Sequence, residues 1–168
     1  MTATINASTT AGVVITPDNS GNIQLLYNGV AAPTFSYYQS SNQSLSNGTF
    51  TKLTFTTSEF DTTGGMFASS RFTPTVAGYY QINGSIQISN AAYALTVNVN
   101  KNGSEWKRGV WFGNVASVGN QATVSAIVYC NGSTDYIEIY GFQNSGVSNN
   151  TNTGSVATYF QGVLVRSA

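Results

Sequence analysis

The sequence is poor in charge. Only 7% of its 168 residues are Asp, Glu, Lys or Arg, against about 25% in ordinary soluble domains. Six basic residues balance six acidic ones, so the chain carries no formal net charge. No basic patch large enough to neutralise a run of phosphates can be assembled from so few cations, which argues against nucleic acid as a partner. Histidine is missing altogether, and with it the usual base of a nucleophilic triad. A single cysteine, Cys130, excludes an intrachain disulfide. No stretch approaches the roughly 20 apolar residues of a membrane-spanning helix. The opening Met1-Thr-Ala-Thr-Ile-Asn6 has neither the basic nor the apolar segment of a secretory signal.

What is present is strand periodicity. A hydrophobic share of 41% is enough for a core, and polarity comes from Ser, Thr, Asn, Gln and Gly rather than from charge. In Tyr79-Tyr-Gln-Ile-Asn-Gly-Ser-Ile-Gln-Ile88, the even positions Tyr80, Ile82, Ile86 and Ile88 are apolar and the odd ones are mainly polar, the period of a half-buried strand. Leu95, Val97 and Val99 alternate with Thr96, Asn98 and Asn100. Val124, Ala126, Val128 and Cys130 alternate with Thr123, Ser125, Ile127 and Tyr129, which places Cys130 as a buried thiol. Ile137 and Ile139 flank Glu138. No window of helical length is amphipathic at the helical period, so the expected fold class is all-β.

Turn chemistry agrees. Asn-Gly occurs at 28–29, 47–48, 83–84, 102–103 and 131–132. Asn-Gly suits type I′ hairpins, which need positive φ at both central residues. The pairs at 102–103 and 131–132 sit between strand patterns. The pair at 83–84 falls inside one, which predicts a bulge or bend there. Residues 1–33 differ from the rest: Val13-Val-Ile15 and Ile23-Gln-Leu-Leu-Tyr27 read as two short strands around Thr16–Gly21, before a break at Pro33. The segment reads as an N-terminal arm or hairpin, or else as the first hairpin of the main domain. From Thr34 to Ala168 about nine or ten strands are expected, enough for a two-sheet antiparallel sandwich.

Four blocks in order carry a resemblance. Arg71-Phe-Thr-Pro-Thr-Val-Ala-Gly-Tyr-Tyr-Gln-Ile82, through Phe72, Pro74, Gly78, Tyr80 and Ile82, resembles the signature of complement-type globular heads. Val97-Asn-Val-Asn-Lys-Asn-Gly103 is similar to that family's strand ending in Lys-Asn-Gly. Ile127-Val-Tyr-Cys-Asn-Gly-Ser-Thr-Asp-Tyr-Ile-Glu-Ile139 resembles its strand–turn–strand unit, and Tyr159-Phe-Gln-Gly-Val-Leu164 its closing strand. The resemblance spans residues 34–166 and implies a jelly roll of the tumour necrosis factor and complement globular-head type. Phe72, Pro74, Gly78, Tyr80, Ile82, Phe160, Gly162 and Leu164 are then core. Gly78 is read as permitting a tight turn into its strand, and Gly162 as leaving room for a facing aromatic ring.

The resemblance also implies a homotrimer. Strand parity assigns the face opposite the core. It carries Tyr79 and Gln81 on one strand, Ile127 and Tyr129 on a second, and Tyr159, Gln161 and Val163 on the last. Tyrosine and aliphatic residues suit a subunit interface better than a solvated surface.

No catalytic or cofactor constellation emerges. The close acids are Glu59 with Asp61 and Asp135 with Glu138, too few for the about six to eight oxygens of a calcium site. No phosphate-binding glycine loop or zinc spacing is present, so a non-enzymatic protein without metal or cofactor is expected. The polar run Gln143–Gly154 reads as a solvated connector, with a contact loop as the alternative. Trp111 and Phe112, beside Lys107-Arg108, offer an aromatic platform for sugar, or core or interface residues.

The arm run Val13–Gly29 resembles stretches that precede the heads of phage fibre-like proteins. Val13, Ile15, Ile23, Leu25 and Tyr27 are its candidate docking residues. The expected role is a virion structural protein: a trimeric surface decoration or short head fibre, held to a capsid or tail protein by its arm. The alternative is a tail-fibre tip or secreted module that binds a host glycan or surface protein outside the cell.

Overall fold

The computed structural model describes residues 4–8, 12–16, 26–27, 30–115 and 120–168. The Cα positions divide into two units, Met1–Ala31 and Ala32–Ala168. The first contains β1 (Thr4–Ser8), β2 (Gly12–Thr16), β3 (Leu26–Tyr27) and β4 (Val30–Ala31). The strand holding Val13 and Ile15 pairs with β1, in the register Ile5↔Ile15 and Ala7↔Val13, and Leu26 and Tyr27 pair with β4. Thr4-Ile-Asn-Ala-Ser8 supplies a matching period-two partner only three residues away in sequence. Tyr27 lies in the β3–β4 pair, while Ile23 and Leu25 fall outside the described residues.

Among the described residues the second unit contains nine strands of four residues or more: β5 (Thr34–Tyr38), β8 (Thr57–Asp61), β11 (Gly78–Gln87), β12 (Ala92–Lys101), β13 (Ser104–Arg108), β14 (Phe112–Val115), β15 (Gln121–Cys130), β16 (Ile137–Gln143) and β18 (Tyr159–Ser167). Two-residue pieces complete it: β6 (Ser44–Leu45), β7 (Thr51–Lys52), β9 (Phe67–Ala68), β10 (Arg71–Phe72) and β17 (Asn149–Asn150). A five-stranded sheet runs β15-β11-β18-β5-β8. A seven-stranded sheet runs β13-β12-β16-β10-β9, with β14 also on β12 and β7 on β16. All pairings are antiparallel.

Between the sheets lies one apolar core. Tyr80, Ile82, Ile86 and Ile88 face Leu95, Val97, Val99, Ile137 and Ile139, and all are fully buried. Phe35, Phe67, Phe72 and Phe160 pack ring against ring at 4.7–5.4 Å, and Tyr37 stacks on Phe67 at 3.9 Å. Such contacts add dispersion and quadrupole attraction to area burial. Gly162 pairs with Phe35 across the ladder. A Cβ there would lie 2.5 Å from that ring, so the glycine is what admits it. At Gly78 the physical reason differs from a tight turn. A Cβ there would stand 2.5 Å from the Arg166 carbonyl oxygen, so the constraint is the close passage of β18.

The Asn-Gly pairs divide by context. Asn102 (φ 53°) and Gly103 (φ 80°) form the expected β12–β13 hairpin. Asn83 and Gly84 pair in unbroken register with Ser125 and Val124, with no bulge. Gly84 instead clears space for Ile139 and Val124, whose methyls would lie 3.0–3.2 Å from a Cβ. Asn131-Gly132 is not a hairpin turn, because β15 and β16 belong to different sheets. The Asn131 Oδ1 accepts the amides of Ser133, Thr134 and Asp135 at 3.0–3.1 Å, an Asx-type turn that carries the chain between the layers.

The run Gln143–Gly154 is largely exposed, but Gln143, Asn149 and Thr151 within it are buried. Asn149–Asn150 pairs with β6, and Thr151 bridges Ile88. Gln143 donates to the carbonyls of Leu45 and Val147 at 3.0 Å. Thr151 donates to Gln39 at 2.5 Å and accepts from the Gln43 amide at 2.9 Å. Neutral amides and hydroxyls can be buried this way because they satisfy each other without the desolvation cost of a charge. Among the described residues, no helix is long and apolar enough to cross a membrane.

Candidate assembly surface

The face of the five-stranded sheet turned away from the core gathers the residues that parity had placed together. Tyr79 stands opposite Tyr129, Gln81 between Ile127 and Val163, and Asn83 opposite Gln161. The Tyr79 and Tyr129 rings are 5.4 Å apart. Tyr159 pairs with Tyr38 at the far side of the same face. Ile127 is 56% exposed, and Tyr79, Tyr129 and Val163 are each about two-fifths exposed. An isolated, solvated sheet face ordinarily alternates core apolar residues with outward polar ones. This one presents apolar side chains on both sides.

The amides on this face are tied down, one of them through Ser36 to the Glu59 carboxylate at the edge. Gln81 Nε2 donates to Ser125 Oγ at 2.8 Å. Gln161 Nε2 donates to Ser36 Oγ at 3.1 Å, and that hydroxyl donates to Glu59 at 2.6 Å. Holding the amides in place lowers the side-chain entropy lost on contact.

Two residues belong to this surface that the parity reading did not name. Val165 is 58% exposed and Phe60 50% exposed. Val165 continues the alternation of Tyr159, Gln161 and Val163, so its signal was present. It also lies at a register shift, where Tyr79 pairs with Arg166 but Tyr80 with Leu164. Phe60 sits on the edge strand β8 between Glu59 and Asp61, and nothing in that short polar run marked it. Tyr79, Ile127, Val165 and the C-terminal Arg166–Ala168 line an open groove of about 420 Å³.

The signature residues lie beneath this face or at its margin. Phe72, Pro74, Gly78, Tyr80, Ile82, Phe160, Gly162 and Leu164 are all buried. The Tyr80 hydroxyl donates to the Val76 carbonyl at 2.8 Å.

The remaining titratable groups are held apart. Glu138 is clamped by Lys52 Nζ at 2.7 Å and Arg71 Nε at 2.9 Å. Burial pushes its carboxyl up, but the hydrogen bonds and charges of these two cations outweigh that and hold it below the usual range. Asp135 is also lowered, first by the Asn102 side chain, against the opposing effect of burial, and then by Lys101. Asp61 is lowered because its bonds from Thr63 and Tyr37 overcome burial. The Cys130 thiol is buried, and desolvation raises it to about 11, so it is an inert thiol at neutral pH. Among the described residues, no three His, Cys, Asp or Glu side chains converge as a metal site would require.

No protein-family profile and no curated protein matches the chain. Solved structures do. Murine APRIL is 10% identical with a TM-score of 0.62, over 80% of this chain and 99% of that one. The globular domain of zebrafish complement 1qA protein is 16% identical with a TM-score of 0.58, over 81% and 99%. Eiger TNF from S. frugiperda is 8% identical with a TM-score of 0.60, over 82% and 93%. At such identities the likeness speaks of the fold, and the chain has the antiparallel jelly roll of the tumour necrosis factor and complement globular-head type.

Proposed function

We propose that the protein is a non-enzymatic homotrimeric virion component, a surface decoration or short head fibre, whose N-terminal segment attaches it to a capsid or tail protein. The observation that carries the assembly part is the exposed apolar face of β15, β11 and β18, with Tyr79, Ile127, Tyr129, Val163 and Val165 outward. Burying large apolar side chains of this kind contributes roughly 1.5–3 kcal/mol each when complete, less the cost of association. Packing three such faces about one axis covers them together with Gln81, Tyr159 and Gln161.

The virion part rests on the sequence. The surface is neutral and rich in Asn, Thr, Ser and Gly. The run Val13–Gly29 resembles segments that precede phage fibre heads. In this reading Val13, Ile15, Ile23, Leu25 and Tyr27 form the docking strip, and the head projects outward.

The experiment is to mix the full chain, and a chain lacking residues 1–33, with stripped phage particles. Decoration is expected to show the full chain on the shell by electron microscopy and the shortened trimer in the supernatant. Binding of the shortened trimer to host cells, with competition against infection, replaces this reading with that of a receptor-binding tip.

A further inference from the structure

The outward face of the seven-stranded sheet holds a second, chemically different surface. Its rings form a shelf. The Phe142 centroid lies 4.9 Å from Phe50 and 5.3 Å from Trp111, with interplanar angles of 37° and 30°. Trp111 is about half exposed. The stacking partner of Trp111 is thus Phe142, not its chain neighbour Phe112, since consecutive extended residues point to opposite faces. Arg108 completes the shelf: its guanidinium carbon is 5.5 Å from the Phe50 ring and 5.3 Å from the Trp111 ring.

Behind Arg108 is a polar backing. Glu105 Oε2 accepts from Arg108 Nη2 and from Asn98 Nδ2, both at 2.7 Å. Among the described residues Glu105 is the one hydrogen-bond partner of Arg108, which leaves most of the guanidinium's donors unused. Asn98 is 1% exposed, and its side-chain carbonyl oxygen has no hydrogen-bond partner among the described residues.

Charge is also uneven. On this outward face Lys52, Arg71 and Arg108 stand against Glu138 and Glu105, one cation in excess.

We infer that the Phe50–Phe142–Trp111 shelf with Arg108 is a binding site for an acidic sugar, a pyranose bearing a carboxylate. Flat rings take the C–H face of a pyranose. A guanidinium fixed beside them offers paired donors that match a carboxylate. The sugar carboxylate competes with Glu105 for Arg108. The site is on the other sheet from the assembly face and does not depend on the trimer.

The test is titration calorimetry of the full chain with polygalacturonate, with dextran as neutral control and oligothymidylate as phosphate control. Polygalacturonate is expected to bind, more weakly as salt is raised, and dextran not to bind. Trp111→Ala and Arg108→Ala are each expected to weaken binding at least about tenfold, with the chain still folded by circular dichroism and its oligomeric state unchanged. Glu105→Gln is expected to tighten it, which loss of packing alone does not do. Absence of polygalacturonate binding, equal binding of dextran, tighter binding of oligothymidylate, wild-type affinity in the alanine variants, or no gain from Glu105→Gln each overturns the inference.

Discussion

The two outward faces of this sandwich solve the same problem in opposite ways. Each backs onto the same apolar core. The face of β11, β15 and β18 carries exposed aliphatic and tyrosine side chains with no charge of its own beyond its margins. The face of the seven-stranded sheet is roofed by rings and cations, so that Thr96, Asn98 and Asn100, on the polar side of β12, are themselves buried. The first face is left unfinished by the single chain. Around Glu138 the second is finished by its own side chains: Glu138 gathers Lys52 and Arg71, and Arg71 lies 3.9 Å over the Tyr136 ring. An exposed apolar face marks a contact with another molecule, whereas the paired cluster around Glu138 marks local stability.

The comparison is broken most directly by moving charge onto the uncharged face. Ile127→Asp with Val163→Asp is expected to abolish assembly while leaving the far-ultraviolet circular dichroism unchanged. A protein that stays assembled in sedimentation velocity puts the interface elsewhere. On the other face Glu138→Ala is expected to act on stability and not on assembly. It strands two cations around a nearly buried position, and because both reach solvent the loss is set at about 2 kcal/mol, read by urea unfolding.

Acid should reproduce that second effect. The folded carboxyls of Glu138 and Asp135 titrate below their ordinary values, so the folded state binds fewer protons than the unfolded one. Their contribution is present above about pH 4–5 and is lost as pH falls through the folded values. With no histidine in the chain, the melting temperature is expected to be flat from about pH 5 to 8. A transition near pH 6 would contradict this. The smallest effect is expected at Thr96, whose buried hydroxyl has no partner among the described residues. Thr96→Val removes an uncompensated polar group and should stabilise by up to about 1 kcal/mol in the same unfolding assay.

The assembly face was legible because strand parity is rigid. Once Tyr80 and Ile82 are core, Tyr79 and Gln81 must point the other way, and the register Tyr79↔Tyr129 with Gln81↔Ile127 brought the separate strands into one patch. The burial of Thr96, Asn98 and Asn100 was not legible, because their neighbours on that face, Phe142, Tyr140 and Glu138 on one side and Glu105 on the other, come from other strands. The run Gln143–Gly154 was legible only in part: Asn, Ser, Thr and Gly read as solvated and most of them are, yet Thr151 and Asn149 are buried with hydrogen bonds to Gln39, Gln43 and Asn90, partners 59 to 112 residues away. A chain that replaces charge with amides can bury parts of its polar loops without the desolvation cost of an ion.

The central claim is that the face around Ile127 is closed by other copies of the same chain. Native mass spectrometry of the full-length protein tests it. The account predicts a species of three times the 17.8 kDa chain mass that persists on dilution, and a stable monomer at all concentrations would contradict it.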